Sequence, residues 1–181
     1  MPHIPLNTDE PGIRGLFRFR PETARPLNEL AEVLLCGPNS LTRGERELIA
    51  SYVSGLNACQ FCCSSHSAFA AVQLPGGMTL VEQVRTDVSS APITDKLRGL
   101  LAIAAAVQRG GLEVSADLVA NARQAGATDI EIHDSVLIAA AFCMFNRYVD
   151  GLATVAPQDP AEYAEQARLI ADKGYLATLD S

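Results

Sequence analysis

Basic residues are scarce in this sequence. It has 14 Lys and Arg against 21 Asp and Glu, a net charge of −7, so we expect neither nucleic acid nor an anionic membrane surface as a partner. It also lacks a long apolar run: charges or helix-ending residues interrupt every apolar stretch before about 18 residues, so we expect no membrane span. With 181 residues, 48% of them hydrophobic, the chain is long enough to form one domain with its own core.

The first residues, Met1-Pro2-His3-Ile4-Pro5, show neither a basic start nor the apolar core of a secretory signal. We therefore expect a cytoplasmic protein whose thiols are mostly reduced. The five cysteines are an odd number, which fits reduced thiols better than a secreted disulfide framework.

Strict alternation of apolar and polar residues is rare, while helix starts recur. Thr42, Thr79 and Thr128 each precede a glutamate by three residues, the pattern of a helix-capping box. We predict an all-α, single-domain helical bundle. The predicted helices cover approximately residues 26–35, 43–56, 59–74, 80–88, 94–107, 115–125, 129–152 and 159–173, and the helix at 129–152 is expected to be central. Residues 1–25 are expected to form an irregular N-terminal arm, which leaves 26–181 as the helical domain.

Three of the cysteines stand within five positions, in Cys59-Gln60-Phe61-Cys62-Cys63-Ser64-Ser65-His66. On a regular helix Cys59, Cys62, Cys63 and His66 fall within about a third of the circumference. His66 lies one turn after Cys62 and can exchange a proton with it directly or through one water. The start of a helix also favours an anion, and a thiolate there can have a lowered pKa.

The spacing of the first two cysteines indicates a labile disulfide. Side chains three residues apart on a regular helix have Cβ atoms about 5–6 Å apart, whereas a disulfide needs about 3.5–4.5 Å. Closing Cys59 to Cys62 therefore distorts the first turn and gives a bond that is readily reduced. Cys63 is a possible additional thiol, able to compete as the attacking or resolving group.

Glu47 is the fourth residue of interest. It lies on the face of its helix opposite Leu48 and Ile49, beside Ser51 and Ser54. These small side chains allow a second helix to approach closely, and the cysteine helix follows after a tight turn. Glu45 has a capping role that explains its presence, whereas Glu47 has none.

Glu47, Cys59-x-x-Cys62 and His66 at these spacings resemble the signature of AhpD-like alkylhydroperoxidases of the carboxymuconolactone decarboxylase superfamily. The resemblance is specific over residues 41–70. It extends more loosely to residue 152, where Phe145-Asn146-Arg147 followed by Asp150 is similar to a later helix of the family. The chain most resembles an uncharacterised peroxidase-related subgroup of about this length.

The resemblance implies an all-α fold and a thiol peroxidase cycle. Cys62 would attack the peroxide, Cys59 would resolve the sulfenic acid into a disulfide, and Glu47 and His66 would form the proton relay. It implies no metal, haem or other cofactor. The implied partners are a hydroperoxide, an external dithiol (in AhpD itself a lipoylated protein) and further copies of the chain, as a dimer, trimer or hexamer.

Two features depart from the best-known AhpD proteins. Phe61 stands where they have a histidine between the cysteines, so one relay member is missing, and Cys63 is extra. Other interpretations remain open: a zinc site formed by Cys59, Cys62 and His66 with Glu47 or Cys63, buried inert thiols, and a noncatalytic redox sensor or zinc-stabilised interaction module. A cofactor-free lactone decarboxylase is a further alternative, although those enzymes generally lack the CxxC motif.

The remaining candidates have structural explanations. Cys143 and Cys36 are interpreted as structural, Cys143 in the core, and His133 as a surface or interface residue. We expect Arg147 and Asp150 to form an ion pair or a contact between subunits, outside the active site.

Overall fold

The computed structural model describes residues 1–179, and within that range it contains helices and no strand. The prediction of an all-α fold is confirmed. The helices are α1 (Gly12–Phe19), α2 (Pro21–Cys36), α3 (Arg43–Leu56), α4 (Gln60–Gln73), α5 (Gly77–Thr86), α6 (Asp95–Arg109), α7 (Ala116–Gln124), α8 (Asp129–Gly151) and α9 (Ala161–Lys173), with short 3-10 turns at Gly111–Glu113 and Leu176–Leu179. No helix among these residues is long and apolar enough to cross a membrane.

Two of the three predicted capping boxes are present. Thr42 caps α3 together with Glu45, and Thr128 caps α8 together with Glu131. The third prediction is wrong, because α5 already begins at Gly77 and Thr79 lies inside its first turn. The preceding turn, in which the Gly77 amide donates to the Leu74 carbonyl oxygen, starts the helix before the threonine is reached.

The capping residue Glu131 also ties α8 to neighbouring segments. Its carboxylate accepts hydrogen bonds from Lys96 and from the Ser40 hydroxyl, at 2.7 Å each. Burial by itself would raise the pKa of Glu131, but the hydrogen bonds from Lys96, Thr128 and Ser40 outweigh it and hold the pKa at about 2.

The core lies where α3, α6 and α8 meet. Each contributes fully buried aliphatic side chains, among them Leu48, Leu100 and Ile138. Helix α8 packs against α1, α2, α3, α4, α6 and α7, as expected for a central helix. The longest and most apolar helix is surrounded because its apolar residues extend over more than one face.

The expectation of an irregular segment over residues 1–25 is wrong from residue 12 onward. Residues 12–19 form α1, and α2 begins at Pro21, five residues before the predicted start at Pro26. A proline at the first helical position loses no hydrogen bond, so Pro21 is a favourable start. Leu6 and Leu16 are buried against the cysteine region, and this packing, which local sequence does not reveal, stabilises the short α1.

Gly12 fixes the junction between this N-terminal segment and the rest of the protein. Its φ of +57° favours glycine, and its amide donates to the Val155 carbonyl oxygen at 2.9 Å. A Cβ at this position would overlap the ring of Phe61. The segment can therefore pack over Phe61 only because residue 12 has no side chain.

We expect Gly12→Ala to lower the free energy of unfolding by about 2 kcal/mol, or the melting temperature by roughly 5 °C, because it combines left-handed strain with overpacking. Gly126→Ala is the matched control, since Gly126 has φ +94° but open space around its Cβ position. Thermal denaturation gives the loss of stability in each variant, and the difference between the two losses is the cost of the overlap with Phe61. Equal losses would contradict this packing.

Candidate active site

Helices α3 and α4 pack closely along their small residues, as predicted. The hydroxyls of Ser51 and Ser67 are hydrogen-bonded across the interface at 2.7 Å, and both residues are buried. Glu47 lies on the same face of α3 and is only 1% exposed. The close approach therefore encloses a carboxylate between two helices, where an ionised group requires hydrogen-bond donors.

A network of side-chain amides holds the turn between these helices. Asn57 donates to Asn146 at 2.8 Å and accepts from Gln108 at 3.0 Å, while Asn146 donates to the Ser54 hydroxyl at 3.0 Å. Ala58, the next residue, has a positive φ of 56°. The network fixes this strained turn against α6 and α8 and so determines where Cys59 lies.

Cys59 and Cys62 are buried together at the start of α4. They belong to an apolar cluster with Leu6, Leu16, Phe61, Val149 and Tyr163. Cys59 is the N-cap residue, with φ −80° and ψ 98°, so it stands outside the regular helix. The spacing argument from a regular helix therefore does not apply to this pair, because the chain has already left helical geometry at Cys59.

The Cys59 thiol lies within hydrogen-bonding reach of the Cys62 side chain and of the Asp150 carboxyl. The hydrogen bond with Cys62 is the main cause that raises the pKa of Cys59, followed by burial, with a further contribution from Asp150. All three contributions disfavour the thiolate form of Cys59.

Of the two contacts expected for Arg147 and Asp150, the structure contradicts the ion pair, and the contact between subunits stays a prediction. Among the described residues neither forms an ion pair with the other: Arg147 donates to the Cys143 carbonyl oxygen at 2.8 Å. Both side chains line a surface cleft of about 440 Å³ together with Asn57, Asn146 and Gly151. Asp150 connects this cleft to Cys59, so it belongs to the surroundings of the dithiol.

Glu47 and His66 form a close pair. The distance between His66 Nδ1 and Glu47 Oε2 is 2.6 Å, and the His66 side chain is 11% exposed. A carboxylate only accepts hydrogen bonds, so Nδ1 carries the proton and Nε2 is the ring nitrogen left free to act as a base. The ring is held by edge contacts with Phe69 and Phe142, and its Cα lies one helical turn from that of Cys62.

Tyr175 is a member of this group that sequence analysis missed. Its hydroxyl donates to Glu47 Oε1 at 2.6 Å and lies 3.4 Å from His66 Nδ1. The residue follows α9, more than 100 positions from either partner. No periodicity or motif around residue 175 signals the contact, which depends entirely on how the C-terminal segment folds back.

Cys63 occupies different surroundings from the other two cysteines of the motif. Its sulfur is directed towards Gly55, with Ser51, Ser67 and Arg85 nearby, and burial raises its pKa. The prediction that Cys63 shares a face with Cys59 and Cys62 therefore fails in detail, because Cys59 stands outside the helix and Cys63 is directed towards α3.

The positions of Cys143, Cys36 and His133 agree with their interpretation as residues outside the active site. Cys143 packs against the core but is only partly buried. Cys36 is half-buried, and burial together with the Glu32 carboxylate raises its pKa to about 11. His133 is exposed and contacts Asp134 at 2.8 Å.

No group of three or more His, Cys, Asp or Glu side chains within residues 1–179 is arranged to hold a metal ion. The candidate ligands have other neighbours: His66 binds Glu47, the Cys63 sulfur is directed towards Gly55, and Cys59 and Cys62 pack in an apolar cluster. The zinc interpretation therefore has no ligand set in the described part of the chain.

Comparison with solved structures finds the same fold in two bacterial proteins. An uncharacterized peroxidase-related protein from Silicibacter sp. TM1040 superposes with a TM-score of 0.76 at 29% identity, over 87% of this chain and 81% of that chain. A second uncharacterized peroxidase-related protein, from Ralstonia eutropha JMP134 and described as an alkylhydroperoxidase AhpD core, gives 0.75 at 26% identity with the same coverage. No curated protein matches the chain.

The family model of the carboxymuconolactone decarboxylase family matches residues 21–73 and 75–156. These ranges include α3, α4 and α8, which carry Glu47, the dithiol, His66 and Asp150. The match covers most of the sequence and agrees with the AhpD-like fold of the structural neighbours. This chain belongs to the carboxymuconolactone decarboxylase family and has its AhpD-like fold.

Proposed function

We propose that this protein is a thiol-dependent peroxidase that reduces hydrogen peroxide or organic hydroperoxides through Cys59 and Cys62. The observation that carries the proposal is the 2.6 Å contact between His66 and the buried Glu47, one helical turn from Cys62. A histidine backed by a carboxylate is a proton acceptor held in one tautomer, and beside a thiol it serves to activate a nucleophile. The peroxidase-related neighbours support the same class of chemistry.

The first step is the oxidation of Cys62. His66 Nε2 takes the thiol proton, and the thiolate attacks the nearer oxygen of the hydroperoxide. The O–O bond breaks, Cys62 becomes a sulfenic acid, and the leaving alkoxide or hydroxide takes the proton back from His66 to leave as alcohol or water. The amides at the start of α4 also favour the thiolate.

The second step forms the disulfide. Cys59 attacks the sulfenic sulfur of Cys62, water leaves, and the sulfur–sulfur bond forms. Cys59 must lose its proton in this step, although its pKa is raised by the hydrogen bond with Cys62, burial and Asp150. We assign the Asp150 carboxylate, whose hydrogen bond contributes to the raised pKa of Cys59, as the group that takes this proton and passes it to the departing hydroxide, which leaves as water.

The third step returns the protein to its dithiol form. An external dithiol attacks the disulfide, passes through a mixed disulfide and is itself oxidised to a disulfide while Cys59 and Cys62 regain their protons. A lipoylated protein is the kind of reductant that the family resemblance implies. The step needs no metal or other cofactor.

A noncatalytic redox sensor is the second candidate, because both sulfurs are buried and oxidation would disturb the packing around them. Turnover separates the two functions: a sensor is oxidised once and does not consume excess peroxide when a dithiol is present. A lactone decarboxylase is not favoured, since such a reaction does not use the dithiol that Cys59 and Cys62 form in their apolar cluster.

We expect Cys62→Ser to reduce consumption of cumene hydroperoxide with dihydrolipoamide to the uncatalysed rate, because it removes the attacking sulfur. Cys59→Ser should leave a sulfenic acid at Cys62 that dimedone traps and mass spectrometry locates. Cys143→Ser is the control, since that thiol lies on α8 outside the dithiol cluster. Full turnover by Cys62→Ser would contradict the assignment and make Cys63 the next candidate.

A second prediction concerns the proton on Cys59. The Asp150 hydrogen bond raises the pKa of Cys59, so Asp150→Asn should lower that pKa and increase the thiolate fraction at a given pH. In a Cys62→Ser background, we expect alkylation of Cys59 at pH 8 to be about 3- to 10-fold faster with Asp150→Asn. Peptide mass spectrometry measures the rate, and Asp117→Asn, an exposed acid on α7, is the control. An unchanged alkylation rate would show that Asp150 does not affect the pKa of Cys59.

The homo-oligomer stays a prediction, and the outer face of α8 is where we expect its interface. Ile130, Leu137 and Met144 recur every seven residues on this face and are 66%, 38% and 44% exposed. Such a stripe of exposed apolar residues is typical of a contact between helices. Light scattering should give a multiple of 19.2 kDa for the native chain and smaller particles for Leu137→Glu. Leu112→Glu, at a fully exposed position elsewhere, should not change the mass; a native mass of one chain would contradict the prediction.

A further inference from the structure

Tyr175 brings the C-terminal segment into the interior beside the Glu47–His66 pair. Its phenol donates to Glu47 Oε1 at 2.6 Å, and its ring is stacked on His66 with 6.4 Å between ring centroids and 16° between planes. The edge of the ring also contacts Phe69. The phenol thus contacts both members of the pair and an aromatic residue that holds His66.

The backbone around Tyr175 is anchored to α2. Glu32 Oε2 accepts hydrogen bonds from the amides of Tyr175 and Leu176, at 2.6 and 3.4 Å. Gly174 has φ +76°, and a Cβ at that position would overlap the Glu32 carboxylate. The Thr178 hydroxyl donates to Asn28 Oδ1 at 3.2 Å. These contacts determine where the phenol lies, so its position does not depend on the hydrogen bond to Glu47 alone.

The Glu47 carboxylate needs this donor. It is 1% exposed, and a buried ionised carboxylate is costly unless its oxygens accept hydrogen bonds. His66 Nδ1 satisfies Oε2 and Tyr175 satisfies Oε1. Burial, followed by the Glu47 charge, raises the pKa of Tyr175 well above its ordinary value, so the phenol keeps its proton and acts as a donor.

We propose that Tyr175 is a positioning residue for the proton relay: its phenol holds the Glu47 carboxylate in place, so that His66 keeps its proton on Nδ1 and leaves Nε2 free. The link to Cys62 rests on the proposed peroxidase function, whereas the effect on the Glu47–His66 pair does not. Tyr175 acts through Glu47 and touches no reacting atom.

Removing the phenol should shift the titration of His66 in a defined direction. Donation by Tyr175 stabilises the carboxylate most when His66 is neutral, because the carboxylate then has no cationic neighbour. Loss of that donor destabilises the deprotonated state of the pair more than the protonated state. Proton uptake by the pair should therefore occur at higher pH in Tyr175→Phe.

We expect Tyr175→Phe to move the midpoint of the His66 ring titration, followed by NMR, upward by about one pH unit. The chain has three histidines, and the exposed His3 and His133 serve as internal references that should not move. The acid limb of the peroxidase pH profile should shift in the same direction, with kcat about tenfold lower near neutral pH. Gly174→Ala, which prevents the segment from docking on Glu32, should reproduce the shift while leaving the phenol in the chain.

Tyr52→Phe is the matched control, because Tyr52 is a half-buried phenol of α3 near Arg109. It should leave the His66 titration unchanged even if it lowers the melting temperature. A His66 titration that does not move in Tyr175→Phe would overturn the inference, whatever the stability of the variant. If the titration moves but Cys62→Ser retains full turnover, the peroxidase proposal fails and the positioning of the Glu47–His66 pair stands.

Discussion

The buried carboxylate of Glu47 is the constraint on which the site depends. It lies between α3 and α4 with one donor on each oxygen, His66 from α4 and Tyr175 from the segment after α9. Leaving a buried acceptor without its donor costs about 1–3 kcal/mol, and more for a charged group, so this one carboxylate ties three parts of the chain together. The same contact that stabilises the packing also determines which nitrogen of His66 is free.

The two sulfurs lie in surroundings of different character. His66 and Glu47 provide a proton acceptor one turn further along α4, whereas Asp150 contacts Cys59 from α8. In the proposed cycle, each sulfur would thus have its own acid–base group. Leu6, Leu16 and Tyr163 pack with the dithiol in one buried cluster, and the raised pKa of Cys59 follows partly from this burial.

Local sequence predicted the parts of the structure that local interactions determine. The capping boxes at Thr42 and Thr128 and the small residues Ser51 and Ser54 carry their signals within a few positions, and the helices and the α3–α4 interface follow from them. Glu47 is identifiable from the sequence for two reasons: its charge has no capping role, and the neighbouring serines predict close helix packing on the same face.

The predictions that failed concern residues whose positions depend on contacts with parts of the chain far away in the sequence. The short helix α1 is stabilised by burial of Leu16 against residues more than 40 positions away, and its sequence alone does not predict this. The spacing of Arg147 and Asp150 on a helix predicts an ion pair or a contact between subunits, and it gives no sign of the hydrogen bond by which Asp150 raises the pKa of Cys59. Tyr175 had no local pattern at all.

Phe61 explains why these distant contacts matter. It occupies the position between the cysteines at which the best-known relatives place a histidine, and its ring packs against Tyr163 of α9 and against the backbone of Gly12. A proton-transferring side chain is thus replaced by an apolar contact that holds the N-terminal segment and α9 over the dithiol. In the proposed cycle, proton transfer at Cys62 is then left to His66 alone. The orientation of that ring, and hence the support it receives from Glu47 and Tyr175, would matter more than in a site with two histidines.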